Sequence, residues 1–84
     1  MTVTVTLPVL RNRGAKAKPT RDDELLQRQL RDDAGQAIEV DGVFGDRTEH
    51  AVRNVQAFFG LEQDGIVGDN TWRGLMLAAY PVRL

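Results

Sequence analysis

Residues 41–52 read DGVFGDRTEHAV, and residues 64–75 read DGIVGDNTWRGL. The two stretches align at an offset of 23 residues, with Asp, Gly, Gly, Asp and Thr at the same places in both. Spaced identity of this kind within 84 residues indicates one loop-to-helix unit used twice, because short fixed periods are typical of small repeat architectures.

Each copy is predicted to be a glycine turn that leads into a helix. The glycines permit a tight turn with positive φ, and the second aspartate of each copy is expected to cap its helix. The first aspartate is expected to bond local backbone amides or the threonine that follows. These turn and cap roles fall to Asp41, Gly42, Gly45, Asp46, Thr48, Asp64, Gly65, Gly68, Asp69 and Thr71.

Three helices are predicted from capping residues and apolar spacing. The first covers residues 20–34, with Thr20 as its cap and Gly35 at its end. The second runs from Asp46 to Gly60, and the third runs from Asp69 to the Tyr80 and Pro81 pair. Their expected buried faces comprise Leu25, Leu26 and Leu30, then Ala51, Val52, Val55, Phe58 and Phe59, and finally Trp72, Leu75, Met76 and Ala79.

The predicted fold class is all-α: a compact three-helix domain with two glycine-turn loop-helix repeats and an extended N-terminal segment. We expect the domain to cover residues 20–80, with a basic, partly extended segment at 1–19 and a tail at 81–84. Residues 1–21 carry five cations and no acid, which suits a solvated segment. The sequence pI of about 5.7 argues against a nucleic-acid partner.

Composition narrows the chemistry. The chain has no cysteine, no serine and one histidine, so thiolate metal sites and a serine nucleophile are excluded. We predict no catalytic residue, no metal and no cofactor. No apolar run approaches the roughly 18 residues of a membrane span, and no signal peptide is visible. The chain is expected to be cytoplasmic as synthesised, acting at the cell wall if it is exported or released on lysis.

The order of motifs resembles a known family. A Leu26 and Gln27 pair precedes Leu30, followed by DGVFGDRT with Ala51 and Val52, then FFGL at 58–61, then DGIVGDNTW. This pattern resembles the three-helix peptidoglycan-binding domain attached to bacterial and phage cell-wall hydrolases, over residues 20–80. The chain departs from it at Asp23, where the family usually has valine, at residues 15–20, and at Val55, where phenylalanine is common.

The resemblance implies noncatalytic binding of peptidoglycan, with a separate cell-wall hydrolase as a further partner. The residues expected to line a shallow groove are Phe44 and Val67, at equivalent loop positions, with Arg47 and Asn70 as polar contacts. Phe44 has an alternative place in the core. Trp72 is expected in the core, where its helix phase places it, although tryptophan also stacks on sugars.

Three alternatives stay open. The fold is compatible with a protein-interaction or adaptor module, possible in a phage, that has no wall binding. Asp41 and Asp64 would be the acid and base of a hidden glycoside hydrolase. Duplicated loops also occur in calcium-binding modules, but Val43, Gly45 and their counterparts stand where calcium needs oxygen ligands. The bound glycan or stem peptide and the oligomeric state stay undetermined.

Overall fold

The computed structural model describes residues 7–79, which form three α-helices and, within that range, no strand longer than an isolated bridge. The helices are α1 (Arg21–Asp32), α2 (Asp46–Phe58) and α3 (Asp69–Ala79). The predicted all-α class is therefore confirmed. None of these helices is long and apolar enough to cross a membrane.

Helix α1 begins after Thr20, whose hydroxyl accepts a hydrogen bond from the Asp23 N–H at 3.1 Å. Leu26 and Leu30 are fully buried, as predicted. The prediction for Leu25 is wrong, since its side chain is 49% exposed. Leu25 lies about 100° around the helix from Leu26, off the stripe that its neighbours at helical spacing define.

Helix α2 is capped differently from the prediction. Gly45 occupies the N-cap position with an extended backbone and no side-chain bond, and Asp46 is the first helical residue. The Asp46 carboxylate instead accepts a hydrogen bond from the Asn12 side-chain amide at 2.8 Å. Asp46 is therefore not the cap, because Gly45 supplies the carbonyl that accepts the first helical bond, from Glu49.

The end of α2 follows the prediction for Gly60, which has a positive φ of 73°. The Gly60 N–H bonds the Ala57 carbonyl, and the Leu61 N–H bonds the Gln56 carbonyl at 2.8 Å. This pair of bonds is the Schellman motif, which satisfies carbonyls that the helix end leaves free.

The two aromatic residues at the end of α2 differ in exposure. Phe58 was expected on the buried face, yet it is 87% exposed. Phe59 is partly buried, and its ring occupies the space that a side chain at Gly74 would fill. Adjacent helical residues point in different directions, so only one of the two rings packs against α3.

Helix α3 begins at Asp69, and its first helical bond runs from the Trp72 N–H to the Gly68 carbonyl, as the Glu49 bond does in α2. Trp72 and Leu75 are buried as predicted. Met76 is 41% exposed, so its prediction as a core residue is wrong. The predicted helix end at Tyr80 and Pro81, and the side chain of Ala79, lie outside the described residues.

The segment before α1 packs against the helices. Leu10 and Val67 exchange backbone hydrogen bonds at 3.1 and 2.8 Å, and the Trp72 indole N–H donates to the Pro8 carbonyl at 2.8 Å. Arg13, one of the cations expected in solvent, bonds the buried carboxylate of Asp23 at 2.5 Å. This ion pair accounts for an aspartate at the position where the family usually has valine, whereas the domain boundaries given above stay a prediction.

Candidate functional site

A buried glutamine organises the first glycine turn. The side-chain amide of Gln27, on α1, is shared among the Asp41 carboxylate at 2.9 Å and the Val43 carbonyl and Thr48 hydroxyl at 3.0 Å each. Its carbonyl oxygen accepts from the backbone N–H groups of Asp41 and Gly42 at 3.0 and 2.8 Å. One side chain therefore joins α1, the turn and the first turn of α2.

Gln56, on α2, does the same for the second turn. Its amide donates to the Asp64 carboxylate at 3.0 Å, the Ile66 carbonyl at 2.9 Å and the Thr71 hydroxyl at 3.1 Å. Its carbonyl oxygen accepts from the Gly65 N–H at 3.0 Å. Each repeat is thus a corner, in which a glutamine on the preceding helix forms hydrogen bonds with the loop and with the first turn of the next helix.

The turn aspartates, Asp41 and Asp64, bond their own loops. Asp41 accepts from the Val43 N–H at 3.0 Å, and Asp64 accepts from the Ile66 N–H at 2.9 Å. These backbone bonds, assisted by the glutamine amides, hold the pKa of both carboxyl groups below the ordinary value. A lowered pKa is the wrong direction for a general acid in glycoside hydrolysis.

The four turn glycines are not equivalent. Gly42 and Gly65 have φ of 78° and 73°, and a Cβ on Gly42 would lie 3.1 Å from the Thr20 carbonyl oxygen. Gly45 has an extended φ of −116°, and a Cβ on Gly68 would meet no atom within 4 Å. Positive φ was expected for both glycines of each turn, and the expectation is wrong for the second, where the chain is already entering the helix.

Sequence reasoning missed the role of Gln56. Gln27 and Gln56 are 29 residues apart, whereas the turns are 23 apart, so the offset that aligns the turns does not align the glutamines. A signal was present nonetheless. Gln56 follows Val55 and lies on the buried side of α2, where an uncharged polar residue needs hydrogen-bond partners.

Each corner has an open cleft above it, with volumes of about 330 and 360 Å³. Apart from Gln56, each residue that lines the second cleft lies 23 positions after a residue that lines the first. The matched pairs are Ile38 and Leu61, Glu39 and Glu62, Asp41 and Asp64, Val43 and Ile66, Gly45 and Gly68, Asp46 and Asp69, Arg47 and Asn70, and Thr48 and Thr71.

The predicted ligand residues divide into two groups. Arg47 and Asn70 are exposed and line the first and second cleft at equivalent positions. Phe44 and Val67 are completely buried in the core, so the prediction that they line a groove is wrong. In each turn the residue directly before the second glycine, Phe44 or Val67, points into the core. The residue two before that glycine, Val43 or Ile66, lines the cleft.

Each cleft continues into a neighbouring depression. Arg47 lines both the first cleft and a depression with Gln36, His50 and Asn54. Asn70 lines both the second cleft and a depression that holds Phe58, Phe59, Arg73 and Leu77. The first cleft together with its depression is called groove 1, and the second cleft together with its depression is called groove 2. In each groove the cleft is the inner half and the depression is the outer half.

Other candidate residues have structural positions. Trp72 is 1% exposed with its indole N–H bonded, which confirms its core placement and leaves no ring face for a sugar. His50 and Arg53 are exposed, and the Arg53 guanidinium also contacts the Gln63 carbonyl and Glu49. Between residues 7 and 79, no three His, Cys, Asp or Glu side chains cluster as metal ligands would.

Comparison with known proteins identifies the class of this domain. The family described as "Putative peptidoglycan binding domain" matches residues 21–75. The SleB N-terminal domain is 36% identical, with a TM-score of 0.74 over 89% of this chain and 97% of that one. Comparison with curated protein sequences gives no match.

Two further solved structures are similar. One is a peptidoglycan-binding protein from Clostridioides difficile in complex with glutamine hydroxamate, 30% identical, with a TM-score of 0.73 over 86% of this chain. The other is the Burkholderia AP3 phage endolysin, 36% identical, with a TM-score of 0.69 over 90% of this chain. The match spans 42% and 26% of those two proteins. The chain belongs to the family of peptidoglycan-binding domains.

Proposed function

We propose that this chain binds bacterial cell-wall peptidoglycan without cleaving it and that groove 1 holds the ligand. The observation that carries the proposal is the family match over residues 21–75, which includes α1, α2, both corners and the first part of α3. Two similar structures, a peptidoglycan-binding protein and a phage endolysin, support the same ligand.

Groove 1 has the chemistry that a wall peptide needs. Arg47 lies where the two halves of the groove meet and can pair with a stem-peptide carboxylate, since a guanidinium presents paired donors. Val43 and Ile38 supply apolar floor, and Glu39 supplies an acceptor. A groove with a few polar groups at fixed places suits a polymer of sugars, amides and carboxylates.

Asp41 and Asp64 are poorly suited to glycoside hydrolysis. A glycosidase needs one carboxyl group with a raised pKa, but the backbone N–H groups of Val43 and Ile66 lower the pKa of Asp41 and Asp64. Both carboxylates are also committed to holding their turns. The chain therefore serves as a targeting part for a cell-wall hydrolase, and action at the wall follows from that role.

Cosedimentation with purified peptidoglycan sacculi at low salt tests this function. We expect the folded wild-type chain to pellet with sacculi and Arg47→Ala to bind about fivefold more weakly, as for one exposed ion pair. Arg21→Ala removes an exposed cation at the start of α1 and serves as the matched control.

Two results would count against the proposal. A folded chain that stays in the supernatant removes wall binding and favours an interaction module of the same fold. If the Arg47 and Arg21 variants bind sacculi equally well, wall binding stands, but Arg47 and groove 1 are ruled out as the contact.

A further inference from the structure

Groove 2 repeats the architecture of groove 1 with different chemistry. The inner halves share the glutamine-held turn, and the outer halves are also in register at 23 residues. Gln36, His50 and Asn54 of groove 1 correspond there to Phe59, Arg73 and Leu77 of groove 2. A duplicated, preformed groove with its own side chains is a second place where a ligand can bind.

The inner half of groove 2 is anionic. Three carboxylates line it, as they do in groove 1, but Asn70 stands where groove 1 has Arg47. The three are Glu62, Asp64 and Asp69. The nearby cation Arg53 is held by Glu49 and the Gln63 carbonyl. Carboxylates around an open cleft attract a cation and repel a second carboxylate. The inner half of groove 1 holds a cation beside its carboxylates, whereas the inner half of groove 2 has the neutral Asn70 at that place and therefore favours a cationic ligand group.

The outer half of groove 2 carries Phe59 and Leu77 where that of groove 1 carries Gln36 and Asn54. Phe58 is 87% exposed and Leu77 is 70% exposed, and both border the same depression. The Phe58 ring packs edge-on against Phe59, with centroids 5.9 Å apart. Leu61 lines both halves, so this apolar surface continues into the anionic cleft.

We infer that groove 2 is a second ligand site, selective for a wall peptide that carries a free alkylammonium side chain. The alkyl stem packs on Phe58 and Leu77, and the ammonium group reaches the carboxylates of the inner half, as amphipathic cations do on protein surfaces. Arg73, the cation of the outer half, donates hydrogen bonds to the carboxylate of the same peptide. The inference rests on the proposed function, since the ligand class is a wall peptide.

Two sites on one chain give a functional consequence. A wall polymer presents many peptides, so engagement of groove 1 raises the effective concentration of peptide at groove 2. Weak individual sites then retain the chain on sacculi. Because a crosslinked peptide has lost its free amine, groove 2 directs the chain to wall regions with few crosslinks.

An NMR titration tests the site. The probes are a soluble stem tetrapeptide with a free side-chain amine and the same peptide acetylated on that amine, added to the ¹⁵N-labelled full chain. We expect the amine peptide to shift backbone N–H signals at 38–48 and 61–71, and the acetylated peptide to shift only 38–48.

Matched variants localise the effect. Glu62→Gln should weaken the amine peptide at groove 2 by about two- to fivefold, while Glu39→Gln, its counterpart in groove 1, leaves groove 2 unchanged. Leu77→Asn installs the residue that groove 1 has at Asn54 and should also weaken groove 2. Both side chains are exposed, so folding is retained.

The outcomes separate the two proposals. Shifts confined to 38–48 with both peptides overturn the second site and leave wall binding in place. Equal shifts at 61–71 with the free and acetylated peptides overturn the ammonium selectivity. No shift in either groove, together with no binding to sacculi, overturns the proposed function itself.

Discussion

Replacing Gln56 with leucine removes the side chain that holds the second corner. Gln56 is 1% exposed, and leucine keeps most of its volume but none of its four hydrogen bonds. Without Gln56, the Asp64 carboxylate and the Ile66 carbonyl can form hydrogen bonds with water instead. The Gly65 N–H and the Thr71 hydroxyl cannot, because these two residues are buried. An unsatisfied buried group costs about 1–3 kcal/mol, so two cost about 2–6 kcal/mol.

That loss is large for a chain of this length. Stability of about 0.05–0.15 kcal/mol per residue gives about 4–13 kcal/mol for 84 residues. Urea unfolding followed by the fluorescence of Trp72, the one tryptophan, measures the change directly. We expect Gln56→Leu to lower the free energy of unfolding by at least 2 kcal/mol, and Gln27→Leu to lower it as much or more, because Gln27 accepts one additional N–H.

Gln63→Leu provides the control, because its exposed side chain should change stability by no more than about 0.5 kcal/mol. A Gln56→Leu variant within 1 kcal/mol of wild type would refute the reasoning. The corner would then be held by its backbone alone, and the glutamine would be incidental to the repeat.

Three other perturbations follow from the structure, each read by urea unfolding. Gly42→Ala should cost more than about 1 kcal/mol, since φ is positive and its Cβ meets the Thr20 carbonyl, whereas Gly68→Ala should stay within about 0.5 kcal/mol; equal losses would contradict this. The stability that the two turn aspartates contribute should be fully present well above the ordinary aspartate pKa of 3.8 and be lost as pH falls through and below it, because folding lowers the pKa of both; unchanged stability at pH 3 would disprove the effect. Arg13→Met should cost on the order of 2 kcal/mol by stranding the buried Asp23 carboxylate, and Arg13→Met with Asp23→Val should recover most of it; a double variant as unstable as the single one would count against the ion pair.

The sequence predicted the three helices and the two turns because their signals are local. Aspartate and glycine in a turn act on the next two or three residues, and Thr20 and Gly60 do so at helix ends. The aromatic pair at the end of α2 could not be assigned this way. Whether Phe58 or Phe59 packs inward depends on Gly74, which belongs to another helix and leaves room for one ring.

The candidate site was predicted in part for a similar reason. Arg47 and Asn70 line the clefts because the repeat places them at the start of each helix, on the solvent side, and their contact with a ligand stays a prediction. Phe44 was assigned to the groove and lies in the core, since a glycine turn does not reveal which of its two central side chains faces inward. Gln56 escaped notice because its partners lie 8 to 15 residues away along the chain.

Hydrogen–deuterium exchange of the chain bound to sacculi tests most directly whether the two grooves contact the wall. We predict that backbone amides at 36–48 and 59–71 gain protection on addition of sacculi, while those of the exposed face of α1 exchange as in the free chain. Protection of α1 without change at 36–48 would contradict the account, because the wall would then bind a face on which neither corner lies.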